Sequence, residues 1–237
     1  MDIKLTLVIV TLFCSFSALS TQLKPCQTEE CKSYFNKYKK NASRGHAQAT
    51  AMLGEFYYHG YGVEKNSSNA LRYYLLAAKR GITSAQYKAG LVYLIDSEHK
   101  NTGKAIKFLH KAATKKYKDA SYLLGRIYLT DEFDHKNIDK ADFYLSQAYE
   151  LKHSDMPNTL IFISQKYTSD FELKFPLLDK AYSKQPLELR NDKLVWSNTK
   201  DEEVITITGN KLETLFDTQL VSYKRKKASL GSRLRGK

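Results

Sequence analysis

Residues 45–81 read GHAQATAMLGEFYYHGYGVEKNSSNALRYYLLAAKRG, and this block returns twice more. The second copy, GITSAQYKAGLVYLIDSEHKNTGKAIKFLHKAATKK, begins at Gly81; the third, KYKDASYLLGRIYLTDEFDHKNIDKADFYLSQAYELK, begins at Lys116. With at most one gap, Gly54, Gly90 and Gly125 align, as do Tyr57, Tyr93 and Tyr128. Ala70, Ala105 and Ala141 align too, followed by Ala77, Ala112 and Ala148. A fixed period of about 36 residues is the mark of a solenoid, in which each unit buries its apolar face only against its neighbours. Solenoids mostly offer surfaces rather than active sites.

Each unit reads as two antiparallel helices. In the first, Ala49, Met52, Leu53 and Phe56 recur at helical spacing over 46–59, and Leu71, Tyr74, Leu75 and Ala78 do so over 67–80. Gly54 and Ala77 are small enough to let the two axes approach. Gly60-Tyr61-Gly62 breaks the first helix where the backbone must turn to positive φ. Ser67 or Ser68 is expected to cap the second helix, and Gly81 to end it. The later copies keep the apolar frame but replace the Gly-x-Gly turn with 96–101, DSEHKN, and 131–137, DEFDHKN.

Working outward, 33–44 looks like the second helix of a truncated first unit, with Tyr38 standing for Tyr74 and Ala42 for Ala78. Residues 153–185 read as a degenerate fourth unit, with Pro157 and Pro176 in the first turns of its helices. Beyond Pro186 the pattern changes: 193–197, KLVWS, and 203–208, EVITIT, are β-prone, Gly209-Asn210 marks a turn, and 211–222 suits a short helix. A two-stranded hairpin alone is marginal in water, so this segment is expected to pack on the last repeat. The expected organisation is a repeat domain over 33–185 (cap 33–44, repeats 45–80, 81–115 and 116–152, degenerate repeat 153–185), an appendix over 186–222 and a tail over 223–237.

At the other end, residues 1–20 read as a signal peptide, followed by a leader over 21–32. Lys4 is basic, though Asp2 weakens it; 5–16, LTLVIVTLFCSF, is a 12-residue apolar run, too short to span a bilayer; Ala18-Leu19-Ser20 fits small-x-small cleavage before Thr21. The rival is an uncleaved anchor. A lipoprotein fits less well, because Phe13 stands where a small residue should precede Cys14. Cleavage leaves Cys26 and Cys31, a candidate disulfide in an exported chain. Five residues apart on a regular helix they face different ways, so a bond requires a turn or a distorted first turn; two free or buried thiols are the alternative. Two cysteines without a nearby histidine fall short of a zinc site.

The net charge is +13, and about half of the excess lies in the last 15 residues, which carry seven basic residues and no acid. Lys224, Arg225, Lys226, Lys227, Arg233 and Arg235 form a candidate anion-binding tail. For an exported protein the anions in reach are lipid headgroups, envelope polysaccharide or an acidic partner, rather than nucleic acid. The alternative is a merely solvated tail.

The string A-x-x-x-L-G-x-x-Y-x-x-G-x-G-V, then A-x-x-x-x-x-A-A-x-x-G, resembles the Sel-1-like repeat. Ala49, Leu53, Gly54, Tyr57, Gly60, Gly62, Val63, Ala70, Ala77, Ala78 and Gly81 carry it. The resemblance covers about half the chain, residues 33–152, and departs from the pattern in the later loops. It implies an all-α, right-handed α/α superhelical solenoid related to tetratricopeptide repeats. It also implies an adaptor that works by protein–protein interaction, with bacterial members often exported to the envelope; a periplasmic or secreted location is expected. By analogy with tetratricopeptide repeats, the first helices line a concave groove suited to a peptide or partner helix. Its residues would be Gln48, Glu55, Tyr58 and His59, then Tyr87, Leu91 and Leu94, then Asp119, Tyr122, Arg126 and Leu129. Tyr and Arg combine contact area with hydrogen bonding. The alternative is that several of these tyrosines only pack between repeats.

Enzymatic motifs are thin. Some cysteine-rich secreted members of the family are linked to β-lactam binding, and S-x-x-K occurs at Ser97–Lys100 and Ser197–Lys200. The companion motifs S-D-N and K-T-G are absent. No H-E-x-x-H, nucleophile elbow or phosphate-binding loop occurs. The expectation is a non-enzymatic scaffold without cofactor or metal. Asn41-Ala-Ser43 and Asn66-Ser-Ser68 are sequons that matter only in a eukaryotic host.

Overall fold

The computed structural model describes residues 23–190 and 193–196. The expected signal peptide, the 203–208 strand, the 211–222 helix and the basic tail lie outside the described residues. Helices run in tandem: α1 (Glu29–Ser43), α2 (Ala47–His59), α3 (Ser67–Lys79), α4 (Thr83–Ile95), α5 (Thr102–Ala113), α6 (Lys118–Leu129), α7 (Ile138–Glu150), α8 (Met156–Lys166), α9 (Phe171–Lys174) and α10 (Pro176–Lys184). Two short strands, β1 (Leu187–Arg190) and β2 (Lys193–Trp196), close the described part. Each of α1 to α7 packs on its neighbours in sequence, and α10 returns onto α7.

The aligned residues explain the pairing. Gly54, Gly90 and Gly125 on the first helices face Tyr74, Leu109 and Leu145 on the second. A Cβ at Gly54 would lie 2.5 Å from the Tyr74 ring, and at Gly125 2.6 Å from Leu145. Tyr74, Leu109 and Leu145 are fully buried, as are Ala77, Ala112 and Ala148 beside them. Burial of such a large side chain is worth about 1.5–3 kcal/mol, and only glycine opposite leaves room for it.

The second helices are capped by asparagine, which corrects the expectation of serine. Asn66, Asn101 and Asn137 sit in extended backbone just before α3, α5 and α7, and each carboxamide oxygen accepts from the backbone N–H three residues on. Ser67 lies inside α3 as its first residue. The backbone N–H of the same asparagines donates to Tyr57 O (2.8 Å), Tyr93 O (2.7 Å) and Tyr128 O (2.8 Å). One residue type therefore closes the loop and starts the helix in all three units.

The second helices end in a common left-handed turn, at Gly45, Gly81, Lys116 and Lys152 with φ of 91°, 87°, 58° and 54°. Glycine takes this conformation without cost to a side chain, whereas the lysines are strained by it.

The first helix begins a turn earlier than the expected 33–44 segment, because Thr28 caps it by accepting from the Cys31 N–H. Cys26 and Cys31 are joined by a disulfide across this cap, the turn that their spacing requires. The bonded leader docks on the Gly-x-Gly turn: Cys26 N–H donates to Gly60 O (3.1 Å) and Gly62 N–H to Cys26 O (2.6 Å). The Gln27 carboxamide donates to Gly60 O (3.0 Å) and Val63 O (2.8 Å). Gly62 has φ 65° and abuts the Cys31 carbonyl so closely that no side chain fits. The first repeat has the docking leader, and it alone keeps the Gly-x-Gly turn.

The degenerate unit departs from the pattern. Pro157 and Pro176 stand in the first turns of α8 and α10 as expected, and α9 is inserted between those helices. Helix α10 has no side-chain cap of its own; the Asp142 carboxylate on α7 accepts from Leu177 N–H (2.9 Å) and Leu178 N–H (2.8 Å) instead. The KLVW strand pairs antiparallel with Leu187–Arg190, a stretch the sequence reading did not recognise as a strand. Leu187 faces Trp196 across this pair and both are buried. Tyr149 packs on Trp196 with centroids 4.7 Å apart and donates its hydroxyl to Gln185 O at 2.6 Å.

Candidate interaction face on the first helices

The candidate residues come from equivalent positions on α2, α4 and α6, so the repeat itself spaces them. Gln48 is exposed on the first turn of α2. Glu55, Tyr58 and His59 are half-buried on its last turns, as are Tyr87 and Leu91 on α4 and Tyr122 and Arg126 on α6. Leu94 and Leu129 do not belong with them: both are buried, at 4% and 2% exposure. They occupy the position of Tyr58, and an aliphatic side chain there is drawn into the interior.

Glu55 ties three elements together. Its carboxylate accepts from the Tyr74 hydroxyl (2.9 Å) on its own second helix and from Lys88 Nζ (3.2 Å) on the next repeat, with His59 Nε2 at 3.5 Å. Burial pushes this carboxyl up, but the His59, Lys88 and Tyr74 contacts outweigh it and hold the pKa below the ordinary value. A row of rings continues along the face. Tyr58 lies near Lys65, whose Nζ is 6.0 Å from the ring centroid. Tyr87 packs against Tyr117 at 5.1 Å. Burial, then Asp119 and Glu55, push the Tyr117 hydroxyl up to about 12, so it is an un-ionised donor at neutral pH.

Tyr122 is the most committed member. Its ring stacks on His153 at 4.0 Å and its hydroxyl meets the Thr159 hydroxyl at 3.1 Å. The Arg126 guanidinium, whose charge favours the ionised form of the same phenol, enters no ion pair among the described residues. The structure thus brings Glu55, Tyr58, Tyr87, Tyr122 and Arg126 onto a face that also includes Lys88 and Tyr117 and is backed under Tyr122 by the buried His153 and Thr159, four residues which sequence reasoning did not assign to it. Tyr117 and His153 lie in the turns between units, and only their neighbours in space reveal their place.

Of the two S-x-x-K motifs, Ser197–Lys200 lies outside the described residues, and Ser97–Lys100 finds no support in geometry. Ser97 and Lys100 are both exposed in the α4–α5 loop rather than one helical turn apart. A different group in that region has hydrolase-like order: Ser68 Oγ lies 3.1 Å from His99 Nε2, and His99 Nδ1 lies 2.9 Å from Asp96 Oδ1. However, Ser68 is exposed, and the Glu98 carboxylate lies 3.4 Å from its hydroxyl. That negative charge opposes the oxyanion of acyl transfer. Asp96 also accepts from the backbone N–H groups of Glu98 and His99, both at 3.1 Å. The contacts amount to a clasp between the start of α3 and the next repeat's loop.

No curated protein matches this sequence. Among solved structures, a protective antigen of uropathogenic Escherichia coli displaying an SLR fold superposes with a TM-score of 0.56 at 23% identity, over 65% of this chain and 34% of that one. This chain therefore spans about a third of that antigen's length. A Sel1 repeat protein from Oxalobacter formigenes matches at 26% identity and TM-score 0.47, over 54% of this chain and 96% of that one. An immunity protein from Pseudomonas aeruginosa matches at 20% identity and TM-score 0.33, over 69% and 76%. The Sel1 repeat family model matches residues 47–82, 83–117 and 118–153. Such repeats form a right-handed α/α solenoid and commonly act as protein–protein interaction scaffolds. Residues 47–153 are therefore three consecutive Sel1 repeats.

Proposed function

We propose that this protein is an exported scaffold that holds an extended peptide or partner helix along the face of its first helices. The observation that carries this reading is the combination on α2, α4 and α6 of half-exposed tyrosines already fixed by internal contacts with the half-exposed Arg126 guanidinium, which has no carboxylate partner among the described residues. Rings held in place lose little entropy when a partner binds, and Tyr and Arg are the side chains that most often anchor interfaces. Glu55 and Tyr122 serve as the frame, while Tyr58, Tyr87 and Arg126 serve as contacts.

Export is supported by the apolar run and small-x-small pattern before Thr21 and by the disulfide, which persists in oxidising compartments. The test of both readings is affinity capture from a native envelope extract. Residues 21–237 serve as one bait, and the same chain with Tyr58→Ala and Arg126→Ala as the other, folding being checked by circular dichroism. A protein recovered by the first bait and lost from the second identifies the partner. Equal recovery by both baits rejects the face, and a native chain still beginning at Met1 rejects export by cleavage.

A further inference from the structure

The second helices carry a surface that this reading does not use. From Lys65 to Lys118 the chain has twelve Lys and Arg but only two acids, Asp96 and Glu98. From His99 to Lys118 it has seven lysines and no acid. Lys104, Lys107 and Lys111 recur at helical spacing on α5 and are exposed, and Lys100 and Lys115 extend the row at either end. None of these five enters an ion pair among the described residues. Like charges three and four residues apart repel, and nothing on this helix relieves them. The ammonium groups of Lys104 and Lys111 lie 5.4 Å and 5.5 Å from the centroids of Tyr93 and Phe108, which confine the lysine stems. On α3, the exposed Arg72 lies over Tyr73 at 4.7 Å, and Lys79 is exposed at its end.

Two large apolar side chains stand in the open on the helices beside this row. Leu76 on α3 is 42% exposed and Phe143 on α7 is 50% exposed. In the repeat register Leu76 stands at the position of Lys111, and Phe143 at that of Arg72 and Lys107. A lysine row thus has one protruding apolar residue on the helix to each side. Cations with isolated apolar residues beside them match the zone between lipid headgroups and acyl chains. The cations on α5 are all lysine, a compact point charge without the fork that selects a fixed carboxylate. That suits headgroups that move laterally.

We propose that the outward face of α3 and α5, with Phe143 of α7 beside it, docks on an anionic lipid bilayer. The α5 lysines face the phosphates, and Leu76 and Phe143 enter the interfacial zone. The site shares no residue with the groove or with the 223–237 tail.

The test is co-sedimentation of the full chain with phosphatidylglycerol–phosphatidylcholine vesicles, phosphatidylcholine vesicles and polyglutamate-coated beads. Binding to the anionic vesicles is expected to exceed that to phosphatidylcholine and to weaken as added salt shortens the screening length. It should fall by about tenfold or more in Lys107→Glu/Lys111→Glu, less in Lys107→Gln/Lys111→Gln, and several-fold in Phe143→Ser. Circular dichroism checks folding; if the Glu pair is misfolded, the Gln pair and Phe143→Ser decide. Undiminished vesicle binding by the folded lysine variants overturns the proposal and assigns the lipid contact elsewhere, the tail included. Polyglutamate binding equal to vesicle binding, with Phe143→Ser changing neither, also overturns it, in favour of an acidic protein surface.

Discussion

Tyr122 and His153 stack with ring planes 13° apart and centroids 4.0 Å apart, joining the third repeat to the start of the fourth unit. The Asp155 N–H donates to His153 Nδ1 at 3.1 Å, which leaves Nδ1 unprotonated, and Nε2 faces Asp119 at 3.5 Å. Burial holds the His153 pKa below its ordinary value; Asp119 and Asp155 oppose this, and Lys118 reinforces it.

A depressed histidine pKa means that the folded state prefers the neutral ring. The stabilisation is complete above the unfolded value, near 6.5, and is lost as pH falls through the lower folded value. Thermal melts at pH 7.5 and 5.5 should show a larger loss for the native chain than for His153→Gln. Identical losses would show that this ring does not couple pH to folding.

Gly125→Ala places a methyl against the Leu145 side chain, with Leu145 N only 3.2 Å away. Overpacking of this kind costs about 1–3 kcal/mol. Denaturant unfolding should show the loss, and Gly125→Ala/Leu145→Ala should recover no more than part of it, because the smaller partner removes burial. A neutral single variant would mean that the two helices separate freely.

Asp142 supplies the N-cap that α10 lacks, reaching Leu177 and Leu178 from 35 and 36 residues away. Asp142→Leu leaves both donors without this acceptor, and a loss of about 2 kcal/mol or more is expected; Asp142→Asn keeps one acceptor oxygen and should cost about 1 kcal/mol. Hydrogen exchange should place the new openings in α10. Equal losses for the two variants would indicate a packing role only.

Reducing the Cys26–Cys31 bond should release the leader from the Gly60–Gly62 turn. The short loop is worth about 2 kcal/mol on the chain-entropy account, and in a solenoid such losses stay near the affected end. Exchange should therefore quicken in α1 and in 60–63 while α6 and α7 remain protected. Global unfolding on reduction would contradict that locality.

Much of the fold was legible because Gly54, Gly90 and Gly125 and the paired alanines record which surfaces touch. The recurring caps Asn66, Asn101 and Asn137 were equally periodic, but two serines at 67 and 68 offered rival caps, and only the backbone start decided. The β1 strand, LELR, was hidden because its edge pairing depends on Trp196 meeting Leu187 over Tyr149. The candidate face was legible as a set of positions but not as a set of free side chains.

The sequence by itself determined a helix-pair solenoid, since a repeating apolar frame whose units contact only their neighbours leaves little other arrangement. Tertiary structure alone decided which side chains remain available. Glu55 is engaged by Lys88 from the next repeat, Tyr122 by His153 and Thr159, and the α10 donors by Asp142. These partners lie some 30 or more residues apart, and whether a polar group is free depends on what another unit brings within hydrogen-bond distance, which local periodicity does not encode.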